Sequence, residues 1–294
     1  MDSVFLYDLT KVLSYLDQHF RENVGVEECA NLIGYSPWYT GRLFKRYFGE
    51  TIGDYLRRLR MTCAKEELQR GKSVKDVAKS LSYRSPDGFS RAFIRQFGIT
   101  PTQYVAGEPL RGEYAEEYQY SITPEEWRKG KNLHDGVWEY AYYHSAEKRY
   151  ELMEWDGNNF IAPFTHKGKS SPSWYCCNRT LGYGMHPGKD VQAVRTFRCP
   201  SDGVVDVLFI VGRIAKLKNK FTPVGIQLFY NKTLLVPDTG MIVLKEITPY
   251  FLRATCTVQK GDRISLHVDS MGDVDCSGVY LYRQWIGYRN VSEK

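Results

Sequence analysis

Along the first hundred positions, apolar residues recur at the three- and four-residue spacing of helices that bury one face. Leu9, Val12, Leu13, Leu16 and Phe20 line an opening helix, and Val26, Cys29, Ala30 and Ile33 line a shorter one. Gly34-Tyr35 turns the chain, and Ser36-Pro37 supplies a capping hydroxyl followed by proline at the first helical position, where its missing N–H is no loss. Thr51 caps a long helix with Tyr55, Leu56, Leu59, Ala64 and Leu68 on its inner face, ended by Gly71. Ser73 opens another short helix through Val77 and Ala78, with Leu81 closing its apolar face. Ser82-Tyr83 turns, and Ser85-Pro86 starts a helix with Phe89, Ala92, Phe93 and Phe97 inward.

These elements form a repeat. The run Arg42-Leu-Phe-Lys-Arg-Tyr-Phe-Gly-Glu-Thr51 aligns with Arg91-Ala-Phe-Ile-Arg-Gln-Phe-Gly-Ile-Thr100 at an offset of 49, and Tyr55 with Tyr104. The duplication predicts two helix-turn-helix units joined by one long helix. Spacing leaves Trp38, Thr40, Gly41, Arg42, Lys45 and Arg46 outside the core on the second helix of the first unit. On the second unit it leaves Pro86, Asp87, Gly88, Ser90 and Arg91, with Arg95 one turn later. Arg57, Arg58 and Arg60 on the long helix are assigned to a solvated face.

Beyond Gly107 the period changes. Glu108-Pro109-Leu110-Arg111-Gly112 reads as a linker, and Glu113 to Trp127 is acidic, Tyr-rich and expected to be partly helical. Alternating runs follow at 138–143, 194–198, 204–210, 226–230, 252–258 and 264–268, divided by Asp-Gly, Asn-Lys and Lys-Gly-Asp turns. The expected fold class is therefore multi-domain. An all-α double helix-turn-helix domain over 1–107 and a linker over 108–124 lead into an all-β antiparallel sandwich, jelly-roll-like, over 125–294.

A chain of 294 residues accommodates two domains, and 43% hydrophobic with 25% charged residues suits globular cores in both. No apolar run approaches the roughly 18 residues of a membrane span, and Met1-Asp2-Ser3-Val4 lacks a secretory pattern, so a cytoplasmic protein without a membrane partner is expected. Seven cysteines, odd in number and never as Cys-x-x-Cys, point to reduced thiols and no zinc site. Residues 1–107 hold 16 Lys and Arg against 12 Asp and Glu, and the remainder 24 against 22, so the basic excess lies mainly in front, which is compatible with a polyanionic partner but does not by itself single one out.

With these residues in view, the front third resembles the AraC/XylS family. Phe89-Ser90-Arg91-Ala92-Phe93, Phe97-Gly98 and Thr100-Pro101 ahead of Tyr104 follow that family's second-unit signature, and Gly34-Tyr35-Ser36, Leu43-Phe44-Lys45 and Gly53-Asp54-Tyr55 follow the first. The resemblance covers about residues 5–107 and implies a sequence-specific DNA-binding transcription regulator. It places base reading in the second unit at Pro86, Asp87 and Ser90, with Arg91 supporting. Gly41 and Gly88 depart from the long polar side chains of some relatives, so fewer direct base contacts are expected and more reliance on phosphate grip and DNA shape.

In the rear two-thirds the turns His186-Pro187-Gly188, Pro200-Ser-Asp-Gly203 and Lys260-Gly261-Asp262 resemble the jelly-roll modules of bacterial carbohydrate-associated proteins. The histidines show no HExxH spacing and no Gly-x-Ser-x-Gly elbow occurs, so neither an enzyme nor a cofactor or metal site is expected. Trp138, Tyr140, Trp174, Tyr183, His186 and Trp285 are the candidates for a ligand-binding face. Two readings of the rear domain stand side by side. It senses a small-molecule effector, with a carbohydrate as the candidate, or it serves only as an interaction module toward RNA polymerase or a second copy in a homodimer.

Overall fold

The computed structural model describes residues 2–120, 124–134, 136–157, 159–162, 177–179, 184–213, 222–245, 249–272 and 278–290 of the chain. They divide into two compact units, Met1–Glu117 with Gly287–Lys294, and Tyr118–Ile286. No helix among the described residues is long and apolar enough to cross a membrane.

In the first unit α1 (Asp2–His19), α2 (Val26–Ile33), α3 (Pro37–Phe48), α4 (Ile52–Gln69), α5 (Val74–Ser80), α6 (Pro86–Phe97) and α7 (Pro101–Val105) follow the expected order. Ser36, Thr51, Ser73, Ser85 and Thr100 cap α3 to α7, each accepting a hydrogen bond from the backbone N–H three residues on. A hydroxyl cap of this kind stabilises a helix end by about 1 kcal/mol. The two copies of the repeat end alike, on Gly49 and Gly98 in left-handed backbone at φ 75° and 72°. Gly98 has a second reason to be glycine, since a Cβ there would stand 2.4 Å from the Arg111 carbonyl carbon. That approach exists because residues 108–112 pack along the end of α6, where the Arg111 and Gly112 N–H groups both donate to the Phe97 carbonyl at 2.8 Å. The Asn290 N–H donates in turn to the Glu113 carbonyl at 3.1 Å.

The long helix α4 serves both copies. Its Tyr55 meets Phe44 edge-on in the first, while Met61, Ala64 and Leu68 pack with Val77, Phe89, Phe93 and Phe97 in the second. Each of the larger of these buried side chains, Met61, Leu68, Val77 and the phenylalanines, contributes roughly 1.5–3 kcal/mol of burial free energy. Its arginines correct the expectation of a solvated face. Arg58 is buried, donates to Glu50 at 2.9 Å and lies over the Tyr55 ring. Arg60 is half-buried and donates to the Phe20 and Glu22 carbonyls at 2.6 and 2.7 Å, which ties α4 to the end of α1. Arg57 pairs with Asp54 within the helix. The physical reason is length, because an arginine stem can lie along an apolar face while its head reaches backbone carbonyls of a neighbouring element.

The acidic, Tyr-rich stretch expected to be partly helical holds both a strand, β1 (Tyr114–Gln119), and a single helical turn and a half, α8 (Pro124–Arg128). The two tyrosines of Tyr114–Gln119, a residue type at home in strands, suit the extended form. The strands that follow are β2 (Leu133–His134), β3 (Trp138–His144), β4 (Arg149–Leu152), β5 (Glu154–Trp155), β6 (Phe160–Ile161), β7 (Cys177–Arg179), β8 (Gly184–His186) and β9 (Val191–Arg198). After them come β10 (Gly203–Arg213), β11 (Val224–Tyr230), β12 (Thr233–Val236), β13 (Ile242–Leu244), β14 (Tyr250–Val258), β15 (Arg263–Asp269) and β16 (Val279–Arg289).

These strands build a sandwich of two antiparallel sheets. One runs in the order β14-β10-β16-β8-β7-β6-β5, and the other β12-β11-β15-β9-β3-β2, with β13 on β11 and β4 on β3. Register sets what lies inside. Trp138 pairs with Phe197 across β3 and β9, and Tyr140 pairs with Arg195. From the facing sheet Phe209 meets the Trp138 ring and Phe160 stacks on Tyr140 at 4.3 Å. The buried Arg195 guanidinium sits between the Tyr120 and Tyr140 rings and donates to Gln284 Oε1 at 2.8 Å, so its charge is held by π faces and an amide.

This packing corrects the expected ligand face. Trp138 and Tyr140 are core residues with 1% and 0% exposure, and His186 and Trp285 are buried as well. The period-2 alternation that marks β3 as a strand turns its largest rings inward, where they contribute most. Trp174 and Tyr183 lie outside the described residues.

Candidate nucleic-acid interface

Each copy of the repeat presents a short helix, a tight turn and a capped twelve-residue helix. In the first, Gly34 makes the turn at φ 73°, with Cys29 and Ala30 of α2 buried behind it. In the second, Ser82 takes the left-handed position at φ 58°. A residue with a Cβ is disfavoured there, and the Ser82 hydroxyl offsets the cost by donating to the Arg21 carbonyl at 2.5 Å. Pro37 and Pro86 occupy the first helical positions behind their serine caps, so α3 and α6 start with rigid, sharply defined ends.

On α3 the buried stripe is Thr40, Leu43, Phe44, Tyr47 and Phe48. Thr40 is therefore corrected from an outward residue to a core one, fully buried, with no hydrogen-bond partner for Oγ1 among the described residues. It stands three and four residues before Leu43 and Phe44, so the helical period alone turns it inward. Gly41 is half-buried and faces α2, where a Cβ would meet Val26 Cγ2 at 3.6 Å. Outside the stripe, Trp38 is 68% exposed, and Arg42, one turn on, sets its guanidinium over that ring at 4.7 Å. Lys45 and Arg46 are exposed and have no carboxylate partner among the described residues. Three cations and a solvent-facing indole thus share the outer side of one helix.

On α6 the buried residues are Phe89, Phe93 and Phe97. Pro86, Asp87, Arg91 and Arg95 are exposed, and Ser90 is half-buried. Gly88 is half-buried, its N–H donates to the Ser85 cap at 3.1 Å, and a Cβ would come within 3.3 Å of that hydroxyl. Arg91 has no ion-pair partner among the described residues. Arg84, exposed and immediately ahead of the Ser85 cap, joins the same end of α6. Sequence spacing passes over it because it falls in the turn rather than on a helix face.

Behind these surfaces a buried carboxylate fixes the frame. Glu67 of α4, 4% exposed, takes an ion pair from Arg21 at 2.8 Å and from Lys72 at 3.3 Å, and a hydrogen bond from Ser80 at 3.0 Å. Burial opposes its ionisation, but the hydrogen bonds from Arg21, Ser80 and Lys72 outweigh it and hold its carboxyl below the usual range. The connection after α1, the α4–α5 turn and α5 all converge on this side chain.

The class this defines is a tandem helix-turn-helix DNA-binding domain. A family model described as a helix-turn-helix domain matches residues 29–107. The chain is 36% identical over 94 residues to the regulatory protein SoxS of Escherichia coli (strain K12), covering 32% of this chain and 88% of SoxS. It is 33% identical over 96 residues to the probable transcription factor PqrA of Proteus vulgaris, covering 32% of this chain and 79% of that one. Among solved structures, the DNA-binding domain of AdpA in complex with a target DNA is 29% identical, with 34% of this chain and 90% of that chain covered and a TM-score of 0.32. The chain belongs to the AraC/XylS family of DNA-binding transcription regulators.

Proposed function

We propose that a single copy of this chain reads two successive major grooves, α3 entering one and α6 the next, about one helical turn or ~34 Å apart on the same DNA face. The observation that carries this reading is the repeat itself, two capped helices of equal length with cationic outer sides, joined by one continuous helix that packs in both copies. Arg42 reads guanine, with its guanidinium already oriented by Trp38. Lys45 and Arg46 hold phosphate. Pro86, Asp87 and Ser90 face bases in the second groove, with Arg91, Arg95 and Arg84 on its phosphates. The front domain over 1–107 carries this activity, and the sandwich over 125–294 modulates it by binding a small molecule.

The sensor reading draws support from a cavity of about 640 Å³ on the sandwich, within the size range of small-molecule sites. A hydroxyl-radical footprint of full-length protein on a selected site tests the groove reading. Two protected patches on one face, ten to eleven base pairs apart, are expected, and a single patch would refute it. Pooled small metabolites should shift the melting of the full-length protein and change its DNA affinity by a coupling of ~1–3 kcal/mol. If no metabolite pool does either, the rear domain is an interaction module toward RNA polymerase or a second copy.

A further inference from the structure

The outer face of the β11-β15-β9-β3 sheet is built differently from the core side. Register brings Glu139, Thr196 and Ser265 into one row across β3, β9 and β15, and His267 one row further along β15. Tyr150 of β4 reaches over this face, its hydroxyl donating to Glu139 Oε2 at 3.2 Å and accepting from the Thr196 hydroxyl at 2.9 Å. The cavity opens here. Its rings are Tyr143, Tyr150 and Phe229, and its charges are Lys148, Lys232 and Arg263. No carboxylate lines it.

The hydrogen-bonding capacity left on these walls is uneven. The Ser265 hydroxyl is engaged with Thr196 at 2.9 Å. Asn231 uses its amide at both ends, donating to Asp262 and accepting from the Arg263 N–H. The neutral polar groups are thus largely occupied, which disfavours a neutral polyol that would need several of them. The cations are not. Lys148 and Lys232, from the β3–β4 and β11–β12 turns, are exposed and have no ion-pair partner among the described residues. Arg263 lies over the Tyr150 ring at 4.9 Å, and its Nε stands 3.9 Å from Glu139, a carboxylate also approached by Arg198 at 3.2 Å. One buried acid shared between two arginines leaves a positive excess at the cavity floor.

His267 adds a directional group. Its ring is held by Phe229 at 4.6 Å and Tyr143 at 5.4 Å, and Nδ1 is 2.7 Å from Gln192 Oε1. Gln192 presents its oxygen because its Nε2 donates to Asp269 at 2.9 Å, so Nδ1 carries the proton and Nε2 is left as an acceptor. Burial lowers the imidazole pKa to about 3, so the ring stays neutral at physiological pH.

Resting on the effector-binding reading above, we propose that this cavity takes a small, ring-bearing organic anion. Its carboxylate or phosphate meets Arg263 with Lys148 and Lys232, its ring lies against Phe229 and Tyr150, and a hydroxyl donates to His267 Nε2. The test is calorimetric titration of the full-length protein with four anions, glucuronate, glucose 6-phosphate, 4-hydroxybenzoate and phenyl phosphate. Their neutral counterparts, glucose, 4-hydroxybenzyl alcohol and phenol, are titrated beside them. At least one anion should bind with a Kd below about 1 mM and its neutral counterpart at least about tenfold more weakly. Whichever pair of anions binds identifies carboxylate or phosphate as the group recognised. The double variant Lys148→Gln/Lys232→Gln, changed only at exposed turn positions, should weaken that anion by about tenfold or more. Neutral compounds binding as tightly as the anions, unaffected by the double variant, would overturn the anion site while leaving effector binding intact. Absence of binding by all four anions would also overturn it, and the metabolite-pool melting shift would then decide the effector reading separately.

Discussion

Replacing Glu67 by alanine should loosen the whole front unit, and the structure sets the size of the effect. The carboxylate is buried and is met by three donors, but Arg21 and Lys72 are 43% and 52% exposed and can return to water when it is removed. Their two ion pairs are therefore discounted to about 1 and 0.5 kcal/mol, and the Ser80 hydrogen bond adds about 1. The expected loss is roughly 2–3 kcal/mol, short of the 3–5 that follows when a charge is stranded in the interior. At roughly 4–8 °C per kcal/mol for a domain of this size, helical unfolding followed by circular dichroism at 222 nm should begin about 10–20 °C lower. Glu67→Gln, which keeps the shape and part of the hydrogen bonding, should lose less. Because the carboxylate ties α5 of the second copy to the connection between α1 and α2, affinity for a two-groove site should fall more than affinity for a half-site. A melting shift under 2 °C, or equal losses on both DNAs, would refute the claim that this side chain fixes the second copy against the rest of the unit.

Other expectations follow from the same geometry. Arg42→Ala should cost ~1–3 kcal/mol and relax preference at one base pair in a binding-site selection, and a uniform loss across sequences would show that it grips only phosphate. Lys45→Ala should reduce the salt slope of binding by about one with base preference intact, and an unchanged slope would remove it from the interface. Gly98→Ala should destabilise by well over the ~1 kcal/mol of left-handed strain that Gly34→Ala incurs, since a methyl at Gly34 meets open space whereas at Gly98 it meets the Arg111 backbone. Equal losses would contradict that close approach. Asp17, held by the Tyr55 hydroxyl at 2.5 Å, has its pKa pushed up to about 6, chiefly by burial. A raised carboxyl pKa gives stability that is present below about pH 4 and lost as pH rises through 6, so Asp17→Asn should match the parent at pH 4 and exceed it by up to ~3 kcal/mol at pH 8. A variant less stable than the parent at pH 8 would contradict this sign.

The helical unit was legible because each signal repeats. Serine and threonine caps, proline behind the serines and glycine stops recur in both copies, so periodicity and punctuation agree. Thr40 was misplaced because its polarity outweighed its position in the Thr40, Leu43, Phe44, Tyr47 stripe. The arginines of α4 were misplaced because a long cationic stem reads as surface until the carbonyls it reaches, those of Phe20 and Glu22, are known. In the sandwich, alternation identified strands but not which face is wet. Trp138 and Tyr140 looked like a ligand surface and lie inside, while the cavity on the other side is assembled from Tyr143, Phe229, Arg263 and His267. Those residues meet only through a strand order in which β15 lies between β9 and β11, a non-local arrangement that no single stretch of sequence announces.

The central claim is that one chain reads two grooves through α3 and α6. Selection of bound fragments from random DNA by the full-length protein, repeated with Arg42→Ala and Asp87→Ala, tests it most directly. The account predicts one asymmetric site whose two informative segments are centred about 10 base pairs apart, the first degraded by Arg42→Ala and the second by Asp87→Ala. Enrichment of a single short segment, or of salt-labile binding without sequence preference, would contradict it.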